Sequence, residues 1–185
     1  MIIGVAGPLA VGKDTVADIL VKKGFVPYSY GNILRSECEK QGLPKDIPTL
    51  VRIGDELRAK DPAILSKMIL EEITQNHVQY AVVSGIRAPA EAHALKNHYN
   101  FLLIWLDAPI YLRYQRTQAS RRDERDDMSF EEFKERERQQ MYGIGTQINL
   151  GEIRKLADLE IVNNTSIESL QNTIEALLCK LNGDN

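Results

Sequence analysis

The sequence contains few of the features that mark secreted or membrane proteins. Its 185 residues include only two cysteines, Cys38 and Cys179, which are too few for a disulfide framework or a cysteine-based zinc site. No apolar run approaches the roughly 20 residues that a membrane-spanning helix needs. The apolar segment Met1–Ala6 is short and lacks the basic segment of a signal peptide, so we expect no signal peptide. These absences favour a cytoplasmic protein with reduced thiols and no membrane partner.

The sequence also lacks an excess of either charge. With 23 basic and 26 acidic residues, the formal net charge is −3, which gives no electrostatic case for general binding to nucleic acid or to an anionic membrane. Apolar residues make up 43% and charged residues 26% of the chain, as in an ordinary globular domain. We expect a single domain covering residues 1–185, as a monomer or homodimer.

Apolar segments that suit buried strands alternate along the chain with segments of helical periodicity. The expected strands are Met1–Ala6, Phe25–Tyr30, Tyr80–Ser84, Phe101–Leu106 and Leu159–Val162. The expected helices lie at Lys13–Lys23, Ile33–Gln41, Leu50–Leu57, Leu65–Ile73, Ala88–His98, Phe130–Met141 and Ile167–Leu181. A further helix is expected to begin in the region Asp107–Pro109. This alternation predicts an α/β fold, a five-stranded parallel sheet flanked by helices in three layers.

The segment after the first expected strand, Gly7–Thr15, matches the P-loop pattern G-x-x-x-x-G-K and precedes an expected helix. Gly7 and Gly12 let the backbone turn so that successive N–H groups face an anion, and the helix N-terminus adds partial positive charge. Lys13 supplies a mobile charge for the β- and γ-phosphates. The flanking strand and helix argue against a chance glycine turn. We therefore predict ATP binding by Gly7, Ala10, Val11, Gly12, Lys13, Asp14 and Thr15.

The residue after Lys13 departs from the pattern, which has Ser or Thr there to ligate Mg²⁺. Here it is Asp14, followed by Thr15. A carboxylate suits Mg²⁺ either directly or through water, so we predict that Asp14 holds the metal and that Thr15 contacts the α-phosphate. The third expected strand ends in Ser84 and Gly85, where many P-loop proteins carry a magnesium-directing aspartate.

The segment after the second expected strand, Ser29–Arg35, is similar to the acceptor-binding pattern S/T-x-G-D-x-L-R of adenylate-kinase-type enzymes, with Asn32 in place of Asp. Further stretches follow in the order of one family, and these are Gly12–Thr15, Gly31–Arg35, Ile53–Arg58, Ser84–Arg87, Asp107–Pro109, Gly143–Gly145 and Ile161–Asn164. Together they resemble nucleoside-monophosphate kinases. The resemblance is greatest to an adenylate-kinase-related P-loop family of mostly archaeal proteins whose substrate is unassigned.

The resemblance implies an acceptor-binding insertion at about residues 31–75, in which Gly31 contributes to the binding site and Arg35 grips the acceptor's phosphate with its planar guanidinium. Arg58 ends a matching segment and is predicted to reach the same pocket. Arg87 follows the third strand, where ligands of open α/β sheets gather, with Glu91 orienting it or the metal-bound water. The alternative interpretations are an exposed helical arginine at position 35 and a surface ion pair at Arg58.

A charged segment, residues 118–130, occupies the place where the resembling kinases keep their lid. Phosphoryl transfer spreads negative charge over oxygens that arginines stabilise, and a lid excludes water. We predict that Arg116, Arg121 and Arg122 are the catalytic contacts, together with Lys13. The alternative is a solvated loop of mixed sign. After the last strand, the loop Asn163–Thr165 is predicted to contact adenine, with Asn163 as the binding residue, or else to be an asparagine-rich turn that caps the next helix.

The sequence therefore predicts a kinase that moves the γ-phosphoryl group of ATP, with Mg²⁺, onto a small phosphate-bearing acceptor, which the resemblance makes a nucleoside monophosphate. One alternative is dephospho-coenzyme A kinase-like activity, because that family shares the scaffold and a similar late asparagine loop. Another is an ATP-binding switch without an acceptor. A switch needs no second phosphate site, so the set of Arg35, Arg58 and Arg87 favours the kinase.

Overall fold

The computed structural model describes residues 1–120, 128–143 and 148–183. Its five strands are β1 (Ile2–Ala6), β2 (Val26–Ser29), β3 (Ala81–Ser84), β4 (Phe101–Asp107) and β5 (Leu159–Val162). They form one parallel sheet in the order β2-β3-β1-β4-β5. The predicted α/β fold with a five-stranded parallel sheet is confirmed.

The helices alternate with the strands as the sequence pattern predicts. They are α1 (Lys13–Lys22), α2 (Tyr30–Lys40), α3 (Ile47–Lys60), α4 (Ile64–Gln75), α5 (Pro89–Lys96), α6 (Ile110–Ser120), α7 (Phe130–Tyr142), α8 (Leu150–Lys155) and α9 (Ile167–Gly183). Three of them, α2 to α4, lie between β2 and β3, in the range for which an acceptor-binding insertion is predicted.

The central strand β1 is buried along its whole length, because it pairs with β3 on one side and with β4 on the other. Ile3 lies opposite Val82 and Leu102 in the two neighbouring strands. A strand in this position has no polar face, which explains its continuous apolar sequence. The burial also fixes the place where the glycine-rich segment leaves the sheet.

Helices cover both faces of the sheet, so that the domain has three layers. On one face, α2, α4, α5 and α8 pack over side chains that include Leu103 and Trp105. On the other face, α1 and α9 pack over Ile3, Val5 and Ile104. Successive strand residues point to opposite faces, so β4 contributes to both apolar layers.

The start of α2 differs from the prediction. Tyr30 was expected in the second strand, but it is the first residue of the helix. The hydroxyl of Ser29 caps this helix by accepting the N–H of Asn32 at 3.1 Å. The Tyr30 ring turns into the core, and its hydroxyl hydrogen-bonds with Ser66 at 2.5 Å. Tyr30 therefore packs in the helix layer and is not part of the sheet.

Two further elements differ. Asp107 was expected at a helix start, but it ends β4, and its carboxylate accepts the N–H of Ala108 at 2.8 Å before α6 begins. Helix α8 was not predicted, because only Leu150 and Ile153 of its six residues are buried. Two apolar positions are too few to display helical periodicity.

The described part of the chain contains no helix long and apolar enough to cross a membrane. Cys38 is buried in the helix layer, Cys179 is exposed on α9, and both are free thiols.

The close packing of α8 on α7 depends on Gly151. A Cβ atom built at this position would lie 2.8 Å from the backbone oxygen of Met141 in the last turn of α7. Real Cβ atoms do not approach backbone oxygens so closely. A side chain at position 151 would therefore force α7 and α8 apart.

We expect Gly151→Ala to lower the free energy of unfolding by about 1–3 kcal/mol through overpacking, although alanine is the better helix former. Gly183→Ala is the matched control, because a Cβ there meets no atom within 4 Å. Urea unfolding followed by circular dichroism measures both variants. An unfolding free energy of Gly151→Ala equal to or above that of the unmodified protein would contradict this account of the α7–α8 contact.

Candidate functional site

The glycine-rich segment, which we call the phosphate loop (Gly7–Thr15), connects β1 to α1 at the carboxyl edge of the sheet. Gly7 has φ of +148°, and a Cβ on it would lie 2.4 Å from the backbone oxygen of Leu106. Gly12 has φ of +101°, and a Cβ there would lie 2.5 Å from Nδ2 of Asn163. Both predicted glycines are therefore required by conformation and by space.

The phosphate loop borders a cavity of about 420 Å³, a size that suits a small-molecule site. The lining comes from the loop, from the end of β3, from α6 and from α7. The lining residues are Leu9, Ala10, Val11, Gly12, Lys13, Asp14, Thr15, Arg87, Arg116, Thr117, Ser120, Met128 and Arg136.

The Lys13 ammonium is turned back onto the phosphate loop. Its Nζ donates hydrogen bonds to the carbonyl oxygens of Gly7, at 2.9 Å, and Pro8, at 2.7 Å. Burial, followed by repulsion from Arg87, lowers the pKa of Lys13 to about 8, while Asp14 acts in the opposite direction. An anion in the cavity would relieve this repulsion and favour the charged form.

Arg116 has an unsatisfied donor in the cavity. Its Nη2 donates to the carbonyl oxygen of Asn163 at 3.0 Å, whereas its buried Nη1 has no hydrogen-bond acceptor among the described residues. Burial, followed by repulsion from Arg113, lowers the Arg116 pKa. A buried guanidinium donor without an acceptor is costly, so this atom indicates the place of an anionic ligand.

Asn163 braces the phosphate loop. Its side-chain Nδ2 donates to the carbonyl oxygen of Val11 at 2.8 Å, and its backbone N–H donates to the backbone carbonyl oxygen of Asp107 at 2.7 Å. The helix cap belongs to Ser166, whose hydroxyl accepts the N–H of Ser169 at 3.2 Å, so the capping interpretation of Asn163 is wrong. Its contact with adenine stays a prediction.

Arg113 connects three parts of the site. Its Nε donates to the carbonyl oxygen of Ala108 at 2.8 Å, and its Nη1 donates to that of Leu9 at 3.3 Å. Both Nη atoms also bond to the carboxylate of Glu137 on α7. This bidentate pair is almost fully buried at the arginine, whose side chain is 3% exposed. It joins α7 to α6 and to the phosphate loop.

The sequence interpretation missed Arg136, which brings a further cation to the cavity from α7. Arg136 lies within the charged stretch Glu131–Arg138, where acidic and basic residues alternate closely. In such a stretch the sequence gives no signal that separates an inward-facing arginine from solvated ones. Only the packing of α7 against α6 identifies it.

Arg87 reaches the cavity because the loop after β3 is held at two backbone positions. The N–H groups of Arg87 and Ala88 both donate to Oε2 of Glu91 at 2.9 Å. The carbonyl oxygen of Arg87 accepts the N–H of Asn149 at 3.0 Å. Glu91 therefore holds the Arg87 backbone as well as capping α5.

Arg58 forms a buried ion pair. Its Nε donates to Oε1 of Glu91 at 2.8 Å, and the two side chains are 7% and 0% exposed. The alternative interpretation, an ion pair at the protein surface, is therefore wrong in its location. Gly54 leaves room for the guanidinium, since a Cβ there would lie 3.0 Å from Arg58 Nη1. Arg58 does not line the cavity, and its contact with an acceptor stays a prediction.

Arg35 also lies away from the cavity lining. It is exposed on α2, and its Nη1 donates to Oδ1 of Asn32 at 3.0 Å. Gly31 gives the guanidinium space, because a Cβ there would lie 3.2 Å from Nη1. The roles of Gly31 and Arg35 in acceptor binding stay predictions. The predicted lid residues Arg121 and Arg122 lie outside the described residues.

Asp14, the residue predicted to hold Mg²⁺, lines the cavity next to Lys13, and so does Thr15, which is predicted to contact the α-phosphate. Across the described ranges, no three His, Cys, Asp or Glu side chains gather as a metal site of their own. Mg²⁺ that binds with a nucleotide takes only one or two protein oxygens besides phosphates and water. The single carboxylate of Asp14 therefore fits this ion, and its role as a metal ligand stays a prediction.

Comparison with protein families agrees with the geometry. A family model described as AAA domain matches residues 3–141. A UPF0200 protein of Pyrobaculum aerophilum is 32% identical, over 97% of this chain and 98% of its own length. A UPF0200 protein of Pyrococcus abyssi is 29% identical, over 98% of this chain and 97% of its own.

Solved structures of similar fold cover nearly the whole chain. They include TT1252 from Thermus thermophilus (TM-score 0.65, 22% identity, 98% of this chain and 97% of the other). Shikimate kinase from Bacteroides thetaiotaomicron has a TM-score of 0.64 at 14% identity, covering 96% and 98%. Dephospho-CoA kinase from Campylobacter jejuni has a TM-score of 0.55 at 19% identity, covering 97% and 96%. These likenesses show a P-loop kinase-like fold.

We expect Glu91→Ala to destabilise the domain by about 3–5 kcal/mol, because it leaves the buried Arg58 charge and two loop N–H groups without their acceptor. Glu56→Ala is the control. Glu56 pairs with Arg52 on α3, but both side chains are 52% exposed, so the expected change is about 0.5 kcal/mol or less. Equal decreases in the free energy of unfolding, measured with urea, would show that the burial of the Arg58–Glu91 pair does not determine its contribution to stability.

Proposed function

We propose a function for this chain from one premise: it belongs to the family described as AAA domain, and its relatives are the UPF0200 proteins. The proposed function is ATP-dependent phosphoryl transfer to a small phosphate-bearing acceptor. A nucleoside monophosphate is the proposed acceptor class. The reaction needs no covalent enzyme intermediate, because positioning and electrostatics supply the catalysis.

The observation that carries the proposal is the convergence of cations on one cavity. Lys13, Arg87, Arg116 and Arg136 come from four different parts of the fold and line the same space beside the phosphate loop. Burial and then repulsion from Arg87 lower the pKa of Lys13, so an anionic ligand in the cavity would favour its charged form. A chain of phosphates, with charge spread over its oxygens, is the ligand that such a set suits.

The phosphate loop would bind the β- and γ-phosphates of ATP through its N–H groups. Lys13 would leave the carbonyl oxygens of Gly7 and Pro8 and turn to the phosphates, and Arg116 would direct its unsatisfied Nη1 at the same chain. Asp14 would hold Mg²⁺, which when bound neutralises charge on the β- and γ-oxygens, and Thr15 would contact the α-phosphate.

The acceptor is proposed to lie on the side of α2 to α4. Arg87 supports this placement, because it follows β3 and lines the cavity from that side. The acceptor phosphate would then meet Arg87 near the γ-phosphate of ATP, with Arg35 and Arg58 reaching it from α2 and α3. Arginine suits this task because its planar fork matches a phosphate.

Dephospho-coenzyme A kinase-like activity is the second candidate. The similar fold of the Campylobacter jejuni dephospho-CoA kinase favours including it. An ATP-binding switch without an acceptor is the alternative from another class. The two classes differ in one measurable property, since only a kinase releases ADP in proportion to an added acceptor.

The direct test is ADP release, with ATP and Mg²⁺, over a panel of nucleoside monophosphates, dephospho-coenzyme A and shikimate. We expect stimulation by one nucleoside monophosphate. Lys13→Ala is expected to reduce turnover by at least about 100-fold while circular dichroism stays unchanged, because the lysine faces phosphate and not the core. ADP release that no acceptor stimulates would favour the switch, and full activity of Lys13→Ala would remove the assignment of the phosphate loop.

ATP affinity is expected to depend on the charge of Lys13. Because the pKa of Lys13 in the free protein is about 8, the charged form is lost as the pH rises through that value. Binding to the charged form alone predicts a Kd about tenfold higher at pH 9 than at pH 7. Lys13→Arg keeps its charge throughout this range, so its Kd should stay flat. Calorimetric titration at constant ionic strength measures both, and parallel profiles would show that another group titrates.

A further inference from the structure

The buried pair between Arg113 and Glu137 links the phosphate loop to α7. We propose that Glu137 is a positioning residue, whose bidentate bond to Arg113 fixes α7 so that Arg136 lines the ATP cavity. This inference rests on the proposed function for its substrate, ATP, but not on the identity of any acceptor. Glu137 itself does not line the cavity, so its effect passes through Arg136.

The Arg113 guanidinium connects α7 to the phosphate loop. Arg113 donates to the carbonyl oxygen of Ala108, which follows β4, and to that of Leu9 in the phosphate loop. Its Nη2 meets Oε1 of Glu137 at 2.9 Å, and its Nη1 meets Oε2. A movement of α7 would therefore pull on the same side chain that touches the phosphate loop.

The helical periodicity of α7 explains how Glu137 acts on its neighbour. Phe133 lies one turn before Glu137 and is 1% exposed, and its ring packs with Tyr114 of α6 at 5.7 Å between centroids. Phe133 and Glu137 therefore attach one face of α7 to α6. Arg136 lies three residues after Phe133 and one before Glu137, at a different angle on the helix, and it lines the cavity.

The pair is a polar and mostly buried part of this attachment. The Arg113 side chain is 3% and the Glu137 side chain 18% exposed, so loss of the carboxylate would leave a buried guanidinium without this partner. The same helix carries a second ion pair of similar chemistry, Glu135 with Arg138, whose side chains are 48% and 54% exposed. That pair lies on the solvent side of α7 and provides a matched control.

The experiment compares ATP binding and ATP turnover in Glu137→Gln, Glu135→Gln, Arg136→Ala and the double variant Glu137→Gln/Arg136→Ala. Binding is measured by calorimetric titration of ATP and turnover by ADP release, both below the unfolding temperature of every variant. We expect Glu137→Gln to weaken ATP binding or turnover by roughly 10- to 100-fold, as for a misplaced contact group. Glu135→Gln should change neither.

The double variant decides between positioning and mere stability. If Glu137 acts through Arg136, Glu137→Gln has little further effect once Arg136 is alanine, so the two losses are strongly non-additive. A purely structural Glu137 would lower the unfolding temperature and give the same fold-change in both backgrounds, which would overturn the proposal. Unchanged ATP binding and turnover in a folded Glu137→Gln would overturn it as well.

Glu137→Asp guards against a variant that fails to fold. It keeps the charge with a shorter reach, so we expect ATP binding and turnover between those of the unmodified protein and of Glu137→Gln. An aspartate variant as impaired as a folded glutamine variant would contradict a role set by reach and charge. If the unmodified protein does not bind ATP, the proposed function fails, whereas normal ATP binding with an indifferent Glu137→Gln refutes this inference alone.

Discussion

The site depends on how closely the phosphate loop passes its neighbours at the carboxyl edge of the sheet. Gly7 runs against the backbone of Leu106, and Gly12 runs against the amide of Asn163, with no space for a side chain at either position. This confinement sets the path of the loop, and the path determines where its N–H groups and Lys13 point. The cavity and its charged side chains therefore surround a phosphate loop whose backbone has little conformational freedom.

Two carboxylates, the buried Glu91 and the partly buried Glu137, hold arginines of the domain in place. Glu91 holds Arg58 and the loop that carries Arg87, and Glu137 holds Arg113 beside the phosphate loop. A buried guanidinium is tolerated where a carboxylate accompanies it. These pairs hold the elements around the cavity in place, whereas Arg116, whose Nη1 has no acceptor among the described residues, lines the cavity itself. The two ion pairs thus stabilise the surroundings of the cations that line the ligand space.

Much of the fold could be predicted from local sequence, because the decisive signals are local. The apolar run of β1, the glycines of the phosphate loop and the stripe of α9 each lie within a few residues and gave correct elements. Tyr30 shows the limit of such signals, since an aromatic residue next to a strand was assigned to it while the Ser29 cap started a helix. Helix α8 was missed because six residues are too few for a periodic pattern.

The partnerships in the site could not be predicted, because they join residues far apart in sequence. Arg58 meets Glu91 at a separation of 33 residues, and Arg113 meets Glu137 at a separation of 24. Arg136 is one of several charges on α7, and nothing in the local pattern distinguishes it. The phosphate loop could be predicted because its glycines and lysine lie within one short segment, Gly7–Lys13, whereas Arg35 and Arg58 were placed by resemblance and lie outside the cavity lining.

The brace between Asn163 and Val11 also has a consequence for biosynthesis. The two residues are separated by 152 positions, and β1 pairs with strands that begin at residues 81 and 101. On the ribosome, the early-made phosphate loop must therefore wait for β3, β4 and finally β5 before its shape is complete. Such long-range closure makes folding slow, and ATP present in the cell would capture the chain only at the end of synthesis. Nucleotide binding would then stabilise only chains whose β5 has already joined the sheet.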